Sequence, residues 1–187
     1  LARLSNSPGL SWLQEQTRLK NISKADLLRL EERYGPPLLD ILAYTLMPNH
    51  FHFEIKELTS NGKAKFFQKL GTAYTKYFNK RHDRTGRLFE SKYKAVEIES
   101  DEQLIHLSRY IHTNLTNSSK LNLTPGDLKT YPWSSLPDYL GTRKQPFCHP
   151  TEILERFGSK EKYWEFVKAI IRRNEPLLPP HLQIDRI

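Results

Sequence analysis

Residues 50–57, HFHFEIKE, alternate strictly, and they follow an apolar run, LLDILAYTL at 38–46, across Met47-Pro48-Asn49. No other stretch restricts the fold as much. Period-two alternation sends successive side chains to opposite faces, and a turn between two such runs predicts a β-hairpin. His50, His52 and Glu54 then share one face, while Phe51, Phe53 and Ile55 share the other and are expected to supply the burial. Residues two apart on a strand stand roughly 6–7 Å from each other, from a rise of about 3.3 Å per residue. Two imidazoles so placed can converge on one ion. Taken alone, such a pair is more often the polar face of a half-buried strand than a metal site.

The rest of the chain supplies helices around that hairpin. SKADLLRLEERYG reads as a helix capped by Ser23 and ended by Gly35-Pro36-Pro37. KAKFFQKLGTAYTKYFNKRH, 63–82, carries Phe66, Phe67, Leu70, Ala73, Tyr74, Tyr77 and Phe78 at helical spacing with lysines between. RLFESKYKAVEIE, 87–99, reads as a further strand. A helix then opens at Ser100 or Asp101, with acids in the first turn where the dipole favours them, and a Leu104, Leu107, Ile111, Leu115 stripe. YPWSSLPDYLG is aromatic and turn-rich, and EKYWEFVKAIIRRNE reads as a last helix before a Pro-rich tail. This order predicts an α+β fold with an antiparallel sheet. A split βαβ unit of the ferredoxin type needs a strand before the first helix, and residues 1–7 suit one poorly. The first strand is therefore expected to be missing or to precede residue 1. The expected division is a catalytic domain over 1–141 and a helical extension with its tail over 142–187.

Charge narrows the partners. The net charge is +8 over 187 residues. Between Lys63 and Lys94 stand ten cations against only Asp83 and Glu90, so this one segment equals the excess of the whole chain. Such concentration favours a face that binds a polyanion. No run approaches the roughly 20 apolar residues of a spanning helix, so no membrane partner is expected. The single cysteine, Cys148, excludes a disulfide framework, fits a reducing cytoplasm and reads as inert.

The helix after the basic segment offers further ligands. Tyr110 and Asn114, in RYIHTN, are one turn apart on the flank of the apolar stripe. A helix packed over the hairpin would bring a phenol and an amide oxygen to the histidine pair. His106 and His112 read as exposed or satisfied histidines, and Glu54 as a neighbour rather than a ligand. Two neutral imidazoles with one amide oxygen suit Mg²⁺ or Mn²⁺ better than a structural zinc. Such an ion acts as a Lewis acid on a phosphoryl oxygen, and a tyrosine beside it can serve as nucleophile. Strand breakage through a covalent tyrosine conserves the bond energy, so no nucleotide cofactor is needed.

Taken together, LMPNHFHFEI, the basic helix, GRLFESKYK, RYIHTN and YPWSS, in that order, resemble the single-tyrosine HUH transposases, most closely the REP-associated tyrosine transposases. The likeness covers about residues 41–141. It implies a ferredoxin-like HUH nuclease fold, with His50 and His52 as metal ligands, Asn114 as the third, and Tyr110 as a nucleophile that leaves a 5′-phosphotyrosine and a free 3′-OH. It implies cleavage and strand transfer on single-stranded or hairpin DNA at palindromic repeat elements, in association with the bacterial nucleoid, and leaves a homodimer open. Arg84, Arg87, Lys92, Lys94, Lys76 and Lys80 are the expected DNA contacts, and Phe89, Tyr93 or Tyr74 can stack bases. Two other readings stand beside this one. One is a domesticated module that binds hairpins without cutting, the other an unrelated metal-dependent hydrolase in which Tyr110 has no role. The sequence departs from the family pattern at Leu115, where a proline is usual after the asparagine.

Overall fold

A computed structural model describes residues 35–117 and 123–173. The helix expected over 23–34 and the Pro-rich tail lie outside the described residues. Two strands pair as an antiparallel hairpin, β1 (Leu39–Leu46) and β2 (Phe51–Glu57), and helices make up the remaining regular structure, an α+β arrangement. The turn between the strands closes where the Met47 N–H donates to the His50 carbonyl at 2.9 Å.

The chain divides into two compact units. The first contains residues up to Asp40 together with Lys56–Ala95. Its main element is α1 (Gly62–Arg81), the basic helix, beginning one residue before the predicted start. Gly62 is required there, because a Cβ would run into the Leu38 carbonyl oxygen. Only Gly62 and Phe66 of α1 are fully buried. The strand expected over 87–99 does not form: this stretch has no ladder partner, and only Leu88 and Ile98 within it are even half-buried. A strand needs an edge to pair with and a face to bury. Within this unit the segment instead lays Tyr93 on Phe67 (ring centroids 4.5 Å apart) and Phe89 near Tyr74 (6.2 Å).

The second unit holds residues 41–55 and those from Val96 onward. Here β1 is buried on both faces, Ile41, Ala43 and Thr45 on one and Leu42 and Tyr44 on the other. Irregular chain covers its free edge. Ile41 bridges to Cys148 and Thr45 to Ser134, and the Ser135 N–H donates to the Tyr44 carbonyl at 2.9 Å. The helix α2 (Asp101–Thr113) starts as its sequence predicts: the Ser100 side chain accepts from the Gln103 N–H, and Asp101 and Glu102 fill the first turn. A 3-10 turn over Asn114–Asn117 continues it. Three single-turn helices follow, α3 (Pro125–Leu128), α4 (Leu136–Tyr139) and α5 (Thr151–Leu154), and then α6 (Lys160–Arg173). α6 buries Tyr163, Val167 and Ile170, one face at helical spacing, and packs with α5 against α2. Leu104, Leu107, Ile111 and Leu115 join Leu42, Leu128, Leu136 and Tyr139 in the core.

Candidate metal and tyrosine centre

The hairpin presents its histidines as the alternation requires, but the faces are buried the other way round from the expectation. Phe51, Phe53 and Ile55 are only half-buried, whereas Glu54 is 2% exposed. The histidine face is the one that meets the core, because α2 packs on that side. His50, nearest the turn, is exposed, and His52 is half-buried. Their ring centroids are 5.0 Å apart.

α2 brings the other two residues to this pair. The Tyr110 ring meets His52 edge-on, with centroids 5.5 Å apart, and the Asn114 amide nitrogen lies 2.7 Å from His52 Nε2. Two observations show why the helix sits here. Thr45, on β1, donates its hydroxyl to the Ile111 carbonyl at 2.7 Å. Behind it, a run of buried hydrogen bonds ties α2 to α6 and β1: the Tyr163 hydroxyl donates to Ser108 at 3.1 Å, His112 Nδ1 lies 2.7 Å from the Tyr163 hydroxyl and its Nε2 2.7 Å from the Ser135 hydroxyl, and the Tyr44 N–H donates to Ser135 at 2.8 Å. Burial pulls the His112 pKa down to about 3, so it stays neutral. His112 is thus a satisfied core histidine. His106 sits beside the Arg109 guanidinium at 2.9 Å. Cys148 is buried and its thiol is pushed up to about 12, mainly by burial, which leaves it unreactive.

The donor set fits a hard divalent cation. Asn49 Oδ1 can only accept, so the 2.8 Å contact with His50 Nδ1 puts the ring proton there and leaves the Nε2 lone pair for a ligand. On His52, Nε2 accepts from the amide of Asn114, and a half-turn of that amide places Oδ1 in the same position. Among the described residues no group of three His, Cys, Asp or Glu side chains is arranged to hold a metal. Asn114 is the neutral amide that stands beside His52. Tyr110 itself is 4% exposed.

The six expected DNA contacts, Lys76, Lys80, Arg84, Arg87, Lys92 and Lys94, are all exposed, and all lie in the first unit. Tyr74, Phe89 and Tyr93 of the same unit are also exposed among them. Glu54, read from the sequence as a neighbour of the histidine pair, is the fully buried member of that face. Both its carboxylate oxygens are buried without a hydrogen-bond partner among the described residues, and burial, with Glu152 adding to it, raises its pKa well above the usual carboxylate value. Alternation placed it beside the histidines but carried no signal for which face points inward.

Two histidines, a tyrosine and an asparagine are thus gathered on one unit. Residues 28–114, just under half of the chain, match the family model described as IS200-like transposase. The matched span includes His50, His52, Tyr110 and Asn114. No curated protein and no solved structure matches the chain. Among the described residues, no helix is long and apolar enough to cross a membrane.

Proposed function

We propose that the chain cleaves and transfers single-stranded DNA through Tyr110, at hairpin elements of the palindromic-repeat kind. The observation that carries this reading is the meeting of Tyr110 and Asn114 with His52 on one unit. The Tyr110 hydroxyl attacks phosphorus, the bond from phosphorus to the 3′ oxygen breaks, and the DNA leaves a 5′-phosphotyrosine and a free 3′-OH that takes up the proton. His50, His52 and Asn114 would hold Mg²⁺ or Mn²⁺, which when bound supplies charge to the scissile phosphate. No nucleotide cofactor enters, because the phosphotyrosine stores the bond energy for rejoining. Tyr110 is a largely buried residue. The same burial favours the second reading, a module that binds hairpins without cutting.

Labelled single-stranded hairpin DNA with Mg²⁺ or Mn²⁺ separates the two. A denaturation-stable protein–DNA adduct is expected with the wild type and should be absent with Tyr110→Phe. Binding without any adduct selects the module reading. Cleavage that persists in Tyr110→Phe would falsify the tyrosine mechanism.

The basic face of the first unit would supply non-specific affinity. Each phosphate neutralised adds about 0.7 to the slope of log affinity against log salt for a single strand. The double variant Lys76→Ala, Lys80→Ala is therefore expected to flatten that slope by roughly 1.4 and to weaken all sequences alike. An unchanged slope in a salt titration would remove these two lysines from the interface.

A further inference from the structure

We propose that Trp133 is the stacking platform for one unpaired nucleobase beside the phosphate attacked by Tyr110, an assignment that rests on the DNA-cleavage reading. The indole is 59% exposed, the highest of any large apolar side chain among the described residues. It makes no ring or cation contact there.

The backbone beneath the indole is fixed on both sides. The Trp133 carbonyl accepts from the Leu46 N–H at 2.8 Å, and Tyr131 donates its hydroxyl to the Leu46 carbonyl at 3.3 Å. Arg143 donates to the Pro132 carbonyl at 2.7 Å and also to the Ser134 carbonyl. That guanidinium is itself anchored on Asp138 at 2.5 Å. An exposed ring on clamped backbone costs little ordering when something docks on it.

Its position connects it to the centre. Leu46 precedes Met47, whose N–H closes the turn onto His50 and whose sulfur receives the Asn114 amide at 3.6 Å. Trp133 is therefore bonded to the turn that carries one histidine and touches the asparagine. The chemistry of the ring selects the occupant. Among the described residues of its unit, Val96 is the only other exposed large apolar side chain, and two such residues fall short of the extent a protein partner covers. The adjacent Arg143 charge is paired with Asp138, so the spot is not built for a phosphate. A single flat apolar ring suits the π-face of a single base, and every base has one.

The test is a coupling measurement on the full chain. A hairpin with a single-stranded flank is made with an abasic site at each flank position in turn, and dissociation constants are read for wild type, Trp133→Ala and Trp133→Leu. At one position near the cleavage point, removing the base should weaken wild type roughly tenfold and leave both variants unchanged, from the known scale of base–aromatic stacking. On the intact strand both variants should bind roughly tenfold more weakly than wild type. A 2-aminopurine probe at that position should change its emission on binding wild type, a readout that needs no variant. If wild type binds and forms the Tyr110 adduct but each abasic site costs wild type and variants the same, Trp133 is not the platform and the cleavage reading stands. If wild type neither binds the strand nor forms an adduct, both fall together.

Discussion

Replacing His112 with alanine is expected to lower the thermal unfolding midpoint by roughly 6–12 °C, from a loss of about 3 kcal/mol. His112 is fully buried and joins α2, through Tyr163, to α6 and, through Ser135, to β1. Its ring also packs edge-on against Tyr139, with centroids 4.7 Å apart. Alanine leaves a cavity and removes two hydrogen bonds at once. The deficit also has a pH signature. The unfolded chain protonates this histidine near its ordinary value of 6.5, while the folded chain resists until about 3. Stability from the neutral ring is therefore complete above about 6.5 and declines as the pH falls, by up to about 1.4 kcal/mol per unit. Wild type should lose this increment between pH 7 and pH 5 and the variant should not, so the gap between them narrows. Calorimetry in the presence of a chelator, which keeps divalent cations from Asn114 nearby, provides the check. A gap of the same size at both pH values would mean that the ring is not held neutral.

The consequence for function is geometric. Tyr110 and Asn114 flank His112 by two residues on each side, so a looser α2 displaces both relative to His52. Covalent adduct yield in His112→Ala is expected to fall even at temperatures where the variant stays folded.

Much of this arrangement was legible in local signals. The hairpin follows from alternation across a Pro-Asn turn, the start of α2 from Ser100 and its two acids, and the pairing of Tyr110 with Asn114 from helical spacing. These depend on residues close in sequence. The failures are non-local. Alternation states that His50, His52 and Glu54 share a face, yet which face is inward depends on where α2 packs. Phenylalanines looked like the inward set because apolar residues usually are, and the packing of α2 overrode that preference. Residues 87–99 form no strand, because pairing requires an edge, and within the first unit Phe89 and Tyr93 pack on the aromatics of α1 instead. The importance of His112 was hidden because its partners, Ser135 and Tyr163, come from elements 23 and 51 residues further on. Trp133 lay inside a recognised stretch, YPWSS, but only the structure separates its exposed ring from its anchored backbone.

Glu54→Leu is expected to stabilise the protein by about 2 kcal/mol at pH 7.5, the scale of an unsatisfied buried polar group. The carboxyl is buried, neither oxygen has a hydrogen-bond partner among the described residues, and Glu152, Tyr139 and Tyr163 lie within its electrostatic reach without supplying a positive charge. Leucine is close in volume and suits the core that surrounds it, so the exchange removes the penalty without opening a cavity. The sign of the pH dependence is opposite to that of His112. Burial raises the folded-state pKa well above 4.5, so the unfolded chain releases its proton first. Wild type is penalised least below about 4.5 and loses up to about 1.4 kcal/mol for each unit of rising pH until the folded value is passed. The advantage of Glu54→Leu should thus widen from pH 5 to pH 7.5, measured again with chelator present. Adduct formation should be retained, because His50, His52, Asn114 and Tyr110 are untouched. A variant less stable than wild type at pH 7.5 would show that the carboxyl is satisfied in solution. Stabilisation with loss of the adduct would show instead that the chain keeps this costly acid because the chemistry beside His52 needs it.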